Sequence, residues 1–498
     1  MNNVEMTPTA VYPEIPRSHS TLAATHSAER PLLVTLSGTL ILTDLLTELC
    51  LRLVKKNPLY ALMLAVWAFR GRSVLASQLS RRVELQPAAL PYNPQLLQWL
   101  RSEASAGRPL WLCTATHQKL AIGIASHLGL FDGVLPIDDP LAQPTHSEGT
   151  QTNKHLGEHG FDYFEKRGRD ILVCRHACGV ADVRGGHSSN DLAAGRGGVP
   201  QNFSVRTEYV KLVLKAVRPH QWTKNLLVFM PLLAAHRLTD IAGVLQALLA
   251  IAAFSLCASS VYVSNDLLDL EFDRAHERKV SRPFASGQLP LAAGLYLAPS
   301  LLCAAMLIST VLPPSFQVSL GVYYCVTIAY SFLLKRFFLI DALALASLYT
   351  LRMVAGAAAV RTSISFWMLL FSVFLFFSLA LVKRFTELDS LRRQQRSRAA
   401  GRGYSVEDLP VLLSLGTASG YASVLVLALY IHSPEIELRY SRPQVIWILC
   451  LIMLYWMGRI WLLTQRGQMH DDPVVFALKD RTSLVLGALT AVTIACAI

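Results

Sequence analysis

The sequence predicts an all-α polytopic membrane bundle of about nine transmembrane helices, preceded by a soluble α/β domain. Three observations predict it. Hydrophobic residues make up 52% of the 498-residue chain and charged residues only 16%, against about 25% charged in ordinary soluble domains. From Leu212 onward, long apolar blocks alternate with short polar loops. Before about residue 205 the chain instead mixes short apolar runs with polar and Gly-rich stretches. A mean hydropathy of +0.38 excludes a disordered protein and argues against a purely soluble one. In so apolar a chain a net charge of +12 places Lys and Arg beside a membrane rather than on nucleic acid.

In order along the chain, residues 1–30 are polar and lack a charged-then-apolar start, so they are expected to be a flexible tail and not a secretory signal. Residues 31–172 form the α/β segment. Leu32-Leu33-Val34, ending at Gly38, and Leu110-Trp111-Leu112-Cys113 have the form of buried strands. Asp44 to Phe69 is helical in pattern with a break at Asn57-Pro58. Its stretch Tyr60–Phe69 is shorter than the roughly 20 residues a span needs. It is expected to be a cap helix packed on its own domain, with the membrane surface as the alternative. Residues 173–205, with Arg184-Gly185-Gly186 and Gly195-Arg196-Gly197-Gly198, are expected to be a linker. Residues 206–498 carry apolar blocks near 216–235, 241–264, 290–312, 316–334, 338–358, 365–383, 408–431, 444–464 and 481–498. The first is interrupted by Arg218, Lys224 and Pro231. Lys and Arg crowd the segment before the first block and the loops after the second, fourth, sixth and eighth. By the positive-inside rule these loops and the N-terminal half face the cytoplasm, as expected of a multi-pass protein of a bacterial inner membrane. The nine cysteines are scattered, with several in apolar runs, and are expected to be free thiols. Cys174, His176 and Cys178 lack a fourth ligand and do not predict zinc.

The chemistry-bearing stretch ends the second block: Asn265-Asp266-Leu267-Leu268-Asp269-Leu270-Glu271-Phe272-Asp273-Arg274. On a continuous helix Asp266, Asp269 and Asp273 share one face. Carboxylates so placed repel unless a cation sits between them, and hard oxygen ligands beside a phosphate substrate suit Mg²⁺. The three aspartates are therefore the expected metal-binding and catalytic residues. His276, Arg278, Lys279 and Arg282 follow, then Pro283 and Gly287. Basic groups next to a metal site fit a diphosphate ligand, some oxygens going to metal and others to Arg and Lys.

NDxxDxxxDR followed by HxxKxxRPxxxG resembles the first signature of the UbiA superfamily of intramembrane prenyltransferases. The resemblance covers residues 212–498. It implies a helical bundle with a cavity open to the cytoplasm, Mg²⁺, a polyprenyl lipid substrate, a diphosphate-containing donor and no nucleic acid. The most similar branch is the decaprenyl-phosphate phosphoribosyltransferases, which move 5-phosphoribose from phosphoribosyl diphosphate to a polyprenyl phosphate for cell-envelope polysaccharide precursors. The matching pieces are Arg218-Pro219-His220-Gln221-Trp222-Thr223-Lys224-Asn225, Tyr330 with Lys335 and Asp341, Arg352, Lys383-Arg384-Phe385-Thr386-Glu387, Asp472-Pro473, and Ala477 to Arg481. The resemblance implies substrate-binding roles for Asn265, Lys224, Arg274, Lys279, Arg282, Tyr330, Lys335, Arg352 and Lys383. Arg352 is also an intramembrane charge, which by default marks a function, whereas Lys383, Arg384 and Glu387 fit a structural ion network equally well. Aromatic prenyltransferases carry a second DxxxD cluster; here Asp341 is followed at the fourth position by Leu345, which favours the phosphoribosyl branch. The alternatives are transfer of a prenyl group from its diphosphate to an aromatic or other acceptor, and a non-catalytic membrane transporter or scaffold.

Val34-Thr35-Leu36-Ser37-Gly38-Thr39-Leu40 resembles the first motif, DxDGT, of haloacid-dehalogenase-like phosphatases, with Thr35 and Ser37 where the nucleophile and the general acid/base belong. Thr114 fits the second motif and Lys154 the third. Lys166 replaces one acid of the fourth, leaving Asp170. The resemblance therefore implies a degenerate domain without phosphatase activity.

Overall fold

The computed structural model describes residues 31–114, 118–136, 162–165, 179–182, 208–395, 402–433, 436, 440–469 and 472–498. In chain order, β1 (Leu32–Thr35) is followed by α1 (Leu45–Lys56), α2 (Tyr60–Phe69), α3 (Arg72–Ser80), α4 (Pro94–Ser105), β2 (Leu110–Thr114), α5 (Gln118–Leu128), β3 (Gly133–Pro136), β4 (Asp162–Glu165) and β5 (Gly179–Asp182). There follow α6 (Tyr209–Val217), a 3₁₀ segment (Pro219–Phe229), α7 (Met230–Ala234), α8 (Ile241–Leu268), α9 (Leu270–Arg274), α10 (Leu291–Ser309) and α11 (Pro314–Phe332). The chain ends with α12 (Ile340–Ala359), α13 (Phe366–Arg393), α14 (Leu409–Ile431), α15 (Ile448–Gln465), α16 (Pro473–Ala477) and α17 (Arg481–Ala497). These elements sort into two compact units.

The first unit comprises residues up to 41 and 92–204. Its five strands form one parallel sheet in the order β3-β2-β1-β4-β5, with Val34 opposite Leu112 on one side and Phe164 on the other. Leu32, Leu33, Val34, Leu110 and Leu112 are fully buried, as parallel strands covered on both faces require. α4 starts at Pro94, with the Asn93 side chain accepting from the Leu96 N–H at 3.3 Å. The segment after β1 returns its backbone to the sheet, the Leu36 N–H donating to the Cys113 carbonyl at 2.9 Å. Thr35 and Ser37 thus lie at the carboxyl end of the central strand, where the strand order reverses and such sheets carry their crevice. The Thr35 hydroxyl donates to that of Thr39 at 2.6 Å. Lys154, Lys166, Asp170, Cys174, His176 and Cys178 lie outside the described residues.

The second unit comprises residues 42–91 and 205–498. Segment 42–91, which the sequence placed with the α/β domain, therefore groups with the membrane helices. The reason is visible in α1: Leu51 shares a core with Ala216, Val263, Leu267, Leu270 and Phe284. α2 is not a cap packed over its length. Trp67 is buried, but Leu62, Val66 and Phe69 are exposed, Phe69 at 93%.

Among the described residues, six helices are long and apolar enough to cross a membrane, and seven if the bent pair Pro473–Lys479 and Arg481–Ala497 counts as one span. Three of the nine expected blocks are not among the six. The first becomes the 3₁₀ segment and the five-residue α7, because Arg218 takes a left-handed conformation (φ 57°) and Pro219 and Pro231 reset the chain. The fourth is α11, of spanning length but diluted by Gln317, Ser319, Thr327 and Ser331. Its hydroxyls are satisfied internally, Ser319 donating to the Ser315 carbonyl and Ser331 to that of Thr327. The ninth is α17, 17 residues long, and lies at 80° to the helical segment Pro473–Lys479 before it. The 3₁₀ segment packs deeply, since a Cβ on Gly356 of α12 would come within 2.0 Å of the Val228 carbonyl oxygen.

Candidate functional site

α8 begins at the cap Asp240, whose side chain accepts from the Gly243 N–H, and runs apolar for most of its length. It ends at Leu268. Asp269 leaves the helical conformation (φ −99°, ψ 16°) and also stands before α9. The break changes the expected arrangement of aspartates. Asp266 lies on α8 and Asp273 on α9, with Asp269 between the two helices, and among the described residues no three His, Cys, Asp or Glu side chains gather as a metal ligand set. The acidic motif is instead split into two halves, each neutralised by protein cations.

Asp266 and Asp273 form the inner half, both 2% exposed. Arg282 bridges them, its Nη1 lying 3.1 Å from Asp266 Oδ1 and 2.6 Å from Asp273 Oδ2. Arg218, turned inward by its left-handed backbone, donates to the same Asp266 oxygen at 2.5 Å. The other oxygen, Asp266 Oδ2, is buried and has no hydrogen-bond partner. Burial pushes the Asp273 carboxyl above its ordinary value, and the neighbouring Arg282 only partly offsets it.

Asp269 forms the outer half. Lys55 donates to its Oδ1 at 2.8 Å, and Lys335 Nζ lies 3.7 Å from its Oδ2. Burial alone would raise this carboxyl, but the hydrogen bond from Lys55 and the charge of Lys335 win and hold it below the usual value. Lys335 is lowered, burial outweighing its attraction to Asp269. A cleft opens here, with Asn265, Asp269, Lys55, Lys335, Ser331 and Arg336 in its wall.

A second group of charges involves α12, α13 and the turn before α16. Lys224, from the 3₁₀ segment, and Lys383, from α13, meet on Asp472 Oδ2 at 2.7 and 3.2 Å. Burial opposes the charge on Asp472, but the two lysines hold its carboxyl far below the ordinary range. Arg352 is 5% exposed and buried among neutral groups. Its Nε donates to Asn225 Oδ1 and its Nη2 to the Tyr323 hydroxyl, both at 2.9 Å. The guanidinium lies 4.8 Å from the Tyr323 ring centroid. Among the described residues no carboxylate pairs with it. Arg384 bonds to Asp341, to Glu387 and, at 3.0 Å, to the Tyr330 hydroxyl. Tyr404 also donates to Asp341. The network at the α13 base thus joins Arg384 and Glu387, while Lys383 points to Asp472.

The structure therefore brings Asn265, Lys335 and Asp269 to one cleft, and Arg282 to Asp266 and Asp273. Lys224 and Lys383 share a carboxylate. Tyr330 and Arg352 sit in separate buried networks, and Lys279 is exposed. Arg274 faces away from the aspartates: it makes two bonds to Glu48, at 2.7 and 3.0 Å, and one to the Ala285 carbonyl at 3.0 Å. Sequence reasoning quoted Arg218 and Asp472 only as parts of matching stretches and missed Glu48 and Lys55. The signal for the last two was the spacing of Glu48, Arg52 and Lys55, which puts three charges on one stripe of α1.

Compared with known proteins, residues 226–483 match the model of the UbiA prenyltransferase family. The chain belongs to that family and is a multi-pass membrane transferase of it. Among similar proteins, the uncharacterized protein y4nM of Sinorhizobium fredii is 35% identical over 463 residues, 93% of this chain and 90% of the relative. The nodulation protein NoeC of Azorhizobium caulinodans is 33% identical, covering 54% of this chain and 88% of its own. The decaprenyl-phosphate phosphoribosyltransferase of Mycolicibacterium smegmatis is 31% identical over 300 residues, 58% of this chain and 91% of that enzyme. A solved structure of a UbiA homolog from Archaeoglobus fulgidus bound to GPP and Mg²⁺ aligns with a TM-score of 0.46 at 13% identity, covering 57% of this chain and 99% of that one.

Proposed function

We propose that this protein transfers 5-phosphoribose from phosphoribosyl diphosphate to a polyprenyl phosphate such as decaprenyl phosphate, in the synthesis of cell-envelope polysaccharide precursors. The observation that carries the reading is the charge balance of the site. Arg218, Arg282, Lys55 and Lys335 surround three aspartates, and Arg352 stands buried without a carboxylate. Such a site has positive charge to spare for phosphates on both donor and acceptor. The name of the Mycolicibacterium relative supports the same chemistry. So does Asp341, the remaining acid of the position where a second metal cluster would stand: it is fully buried and taken up by Arg384 and Tyr404.

Asp266 and Asp273, the inner half of the site, fit Mg²⁺, since Asp266 Oδ2 is a buried carboxylate oxygen left unpaired; with donor phosphate oxygens completing its shell, the ion would offset negative charge on the leaving diphosphate. Asp266, Asp269 and Asp273 position that end of the donor, with Asn265 beside them. Arg282 and Lys335 stabilise the negative charge that grows on the diphosphate as the anomeric C–O bond breaks, and Lys279 lies at the exposed mouth. A phosphate oxygen of the lipid forms the new bond to the anomeric carbon, and diphosphate leaves with the electron pair of the old one. Arg352, Lys224, Lys383 and Tyr330 are assigned to the acceptor phosphate and to cavity shape.

In this reading residues 42–91 and 205–498 make up the transferase unit; the linker expected over 173–205 is corrected at Gly179–Asp182, which is β5 of the sheet, and the tail expected over 1–30 lies outside the described residues. The sheet unit, whose strands run from Leu32 to Asp182, is in this reading a haloacid-dehalogenase-like domain without phosphatase activity, since Thr35 and Ser37 offer no carboxylate at the end of β1. It and the site mouth lie on the cytoplasmic side of a bacterial inner membrane.

The test uses the full chain in detergent with Mg²⁺, labelled phosphoribosyl diphosphate and polyprenyl phosphate, beside Asp266→Asn. Label entering the organic phase with the unmodified protein and not with the variant supports the reading. No transfer, with turnover instead of a prenyl diphosphate and an aromatic acceptor, replaces it with prenyl transfer. Silence with both donors leaves a transporter or scaffold.

A further inference from the structure

The outer aspartate of the transferase motif is held by a residue from far outside it. α1 presents Glu48, Arg52 and Lys55 at positions i, i+4 and i+7, one stripe of a helix. Along that stripe they meet, in reverse chain order, Arg274, Glu271 and Asp269. Each rung pairs opposite charges, and the ladder is tightest at its Glu48 end, where side chains 0% and 4% exposed share two hydrogen bonds. The Glu48 carboxylate also accepts from Thr43 and Arg52, so this buried pair is fully served. Two apolar contacts fix the same docking. Leu51 enters the core with Leu267, Leu270 and Phe284. Leu42 lies against Gly287, where a Cβ would come within 2.6 Å of the Leu42 Cβ and where φ is +72°. Only a glycine fits both the backbone and the neighbour.

The other end of the ladder is open. Lys55 and Asp269 are each about a quarter exposed (25% and 27%), and both line the cleft with Asn265, Ser331, Lys335 and Arg336. Three cations face one carboxylate in that wall, a composition that accepts an anion. Lys55 therefore differs from Arg52 and Glu48: it ends the docking contact and begins the wall of the site.

We propose that α1 completes the donor site, with Lys55 as a phosphate-binding residue that, together with Lys335, takes oxygens of the donor's diphosphate. In the chain without ligand the Lys55 ammonium rests on Asp269. When the diphosphate enters, the ammonium passes to a phosphate oxygen and frees Asp269 to act as a ligand. Segment 42–91 is thus a working part of the transferase. The inference rests on the transferase reading above and deepens it.

The test is calorimetric titration of the full-length protein in lipid nanodiscs with magnesium pyrophosphate, and separately with farnesyl phosphate as a probe of the acceptor phosphate. Lys55→Gln is expected to weaken pyrophosphate binding about tenfold or more, equivalent to about 1.4 kcal/mol, and to leave farnesyl phosphate binding within about twofold. Lys55→Arg, which keeps the charge, is expected to recover most of the affinity. As a readout that a purely structural contact would not move, pyrophosphate is expected to slow acylation of Lys55 by an amine-reactive reagent in the unmodified protein. Unchanged pyrophosphate affinity in Lys55→Gln, with the unmodified protein binding normally, overturns this inference and leaves the transferase reading in place. A loss confined to farnesyl phosphate overturns it in favour of an acceptor-side lysine. No pyrophosphate binding by the unmodified protein overturns both.

Discussion

Replacing Arg282 by glutamine is expected to tighten the binding of free Mg²⁺ while abolishing transfer. The guanidinium sits between two carboxylates that are each 2% exposed, 3.1 Å from one and 2.6 Å from the other. It competes for the oxygens a divalent cation would use. Two unit charges about 4 Å apart interact by about 4 kcal/mol at an effective dielectric near 20. Arg282 is itself 28% exposed, so solvent already screens a large part of that. Asp266 also keeps Arg218 at 2.5 Å in the variant. Retaining about a third of the figure gives about 1.4 kcal/mol, a tenfold gain in affinity for the bare ion. Transfer falls because the diphosphate loses a stabilising cation. The assay is a titration of Mn²⁺ followed by electron paramagnetic resonance, with Mg²⁺ as competitor, beside the labelled-donor assay. Equal or weaker metal affinity in Arg282→Gln would refute the reasoning, because it would mean that Arg282 does not stand in for the cation.

Three further outcomes follow from the geometry. Asp472 is held below the ordinary carboxylate range by Lys383 and Lys224 against the effect of burial; a depressed carboxyl stabilises the fold above its unfolded value, near 4, and loses that contribution as pH falls below it. The stability difference between the unmodified protein and Asp472→Asn should accordingly be full at pH 6 and shrink toward pH 3, and a difference independent of pH would contradict the lysine pairing. Gly287→Ala should loosen α1 by about 1–2 kcal/mol and speed proteolysis at Asn57–Leu59, whereas Gly321→Ala, with nothing within 4 Å, should be silent; equal cleavage rates in the two variants would refute the Leu42 contact. α2 exposes Leu62, Val66 and Phe69, so a photoreactive phenylalanine analogue at position 69 should crosslink to lipid in nanodiscs, and crosslinks to protein alone would return α2 to the role of a packed cap.

What the sequence made legible was set by local chemistry. The buried strands Leu32–Thr35 and Leu110–Thr114 announced themselves as short apolar runs, and the break between α1 and α2 fell at Asn57-Pro58 as proline stereochemistry dictates. The six apolar spans were visible because their hydropathy is continuous. The first block was misjudged because a 20-residue window averages over Arg218, Pro219 and Pro231, each of which redirects the backbone. The division of the aspartates between α8 and α9 was hidden for a related reason. Spacing alone assumes one helix through Asp266 and Asp273, and nothing in the residue types marks the break at Asp269. Asp341, read as half of a missing cluster, has its charge absorbed by Arg384 and Tyr404. Lys55 was invisible because its partner Asp269 is 214 residues away, a distance at which only the fold brings charges together.

The same long-range pairing bears on how the ends of segment 42–91 are held. Segment 42–91 leaves the sheet unit after Ile41 and returns at Tyr92, and those two residues are joined by an antiparallel bridge. The Asn93 N–H also donates to the Leu40 carbonyl at 2.9 Å. The sheet unit therefore fixes the two ends of the segment at one place, which removes much of the entropy that free ends would retain. Within the segment, α1 is held by a cap at Asp44 and by the buried Glu48–Arg274 contact. None of this needs a nucleophile at Thr35 or an acid at Ser37. It needs a stable parallel sheet with a tight exit and return, and the buried residues Leu32, Leu33, Val34, Leu110 and Leu112 supply that. Restoring the two acids, Thr35→Asp with Ser37→Asp, should accordingly leave donor transfer unchanged, whereas a proline at Val34, which removes a sheet hydrogen bond and strains β1, should lower it. Transfer that survives the broken strand at full rate would show that α1 holds its place without the sheet.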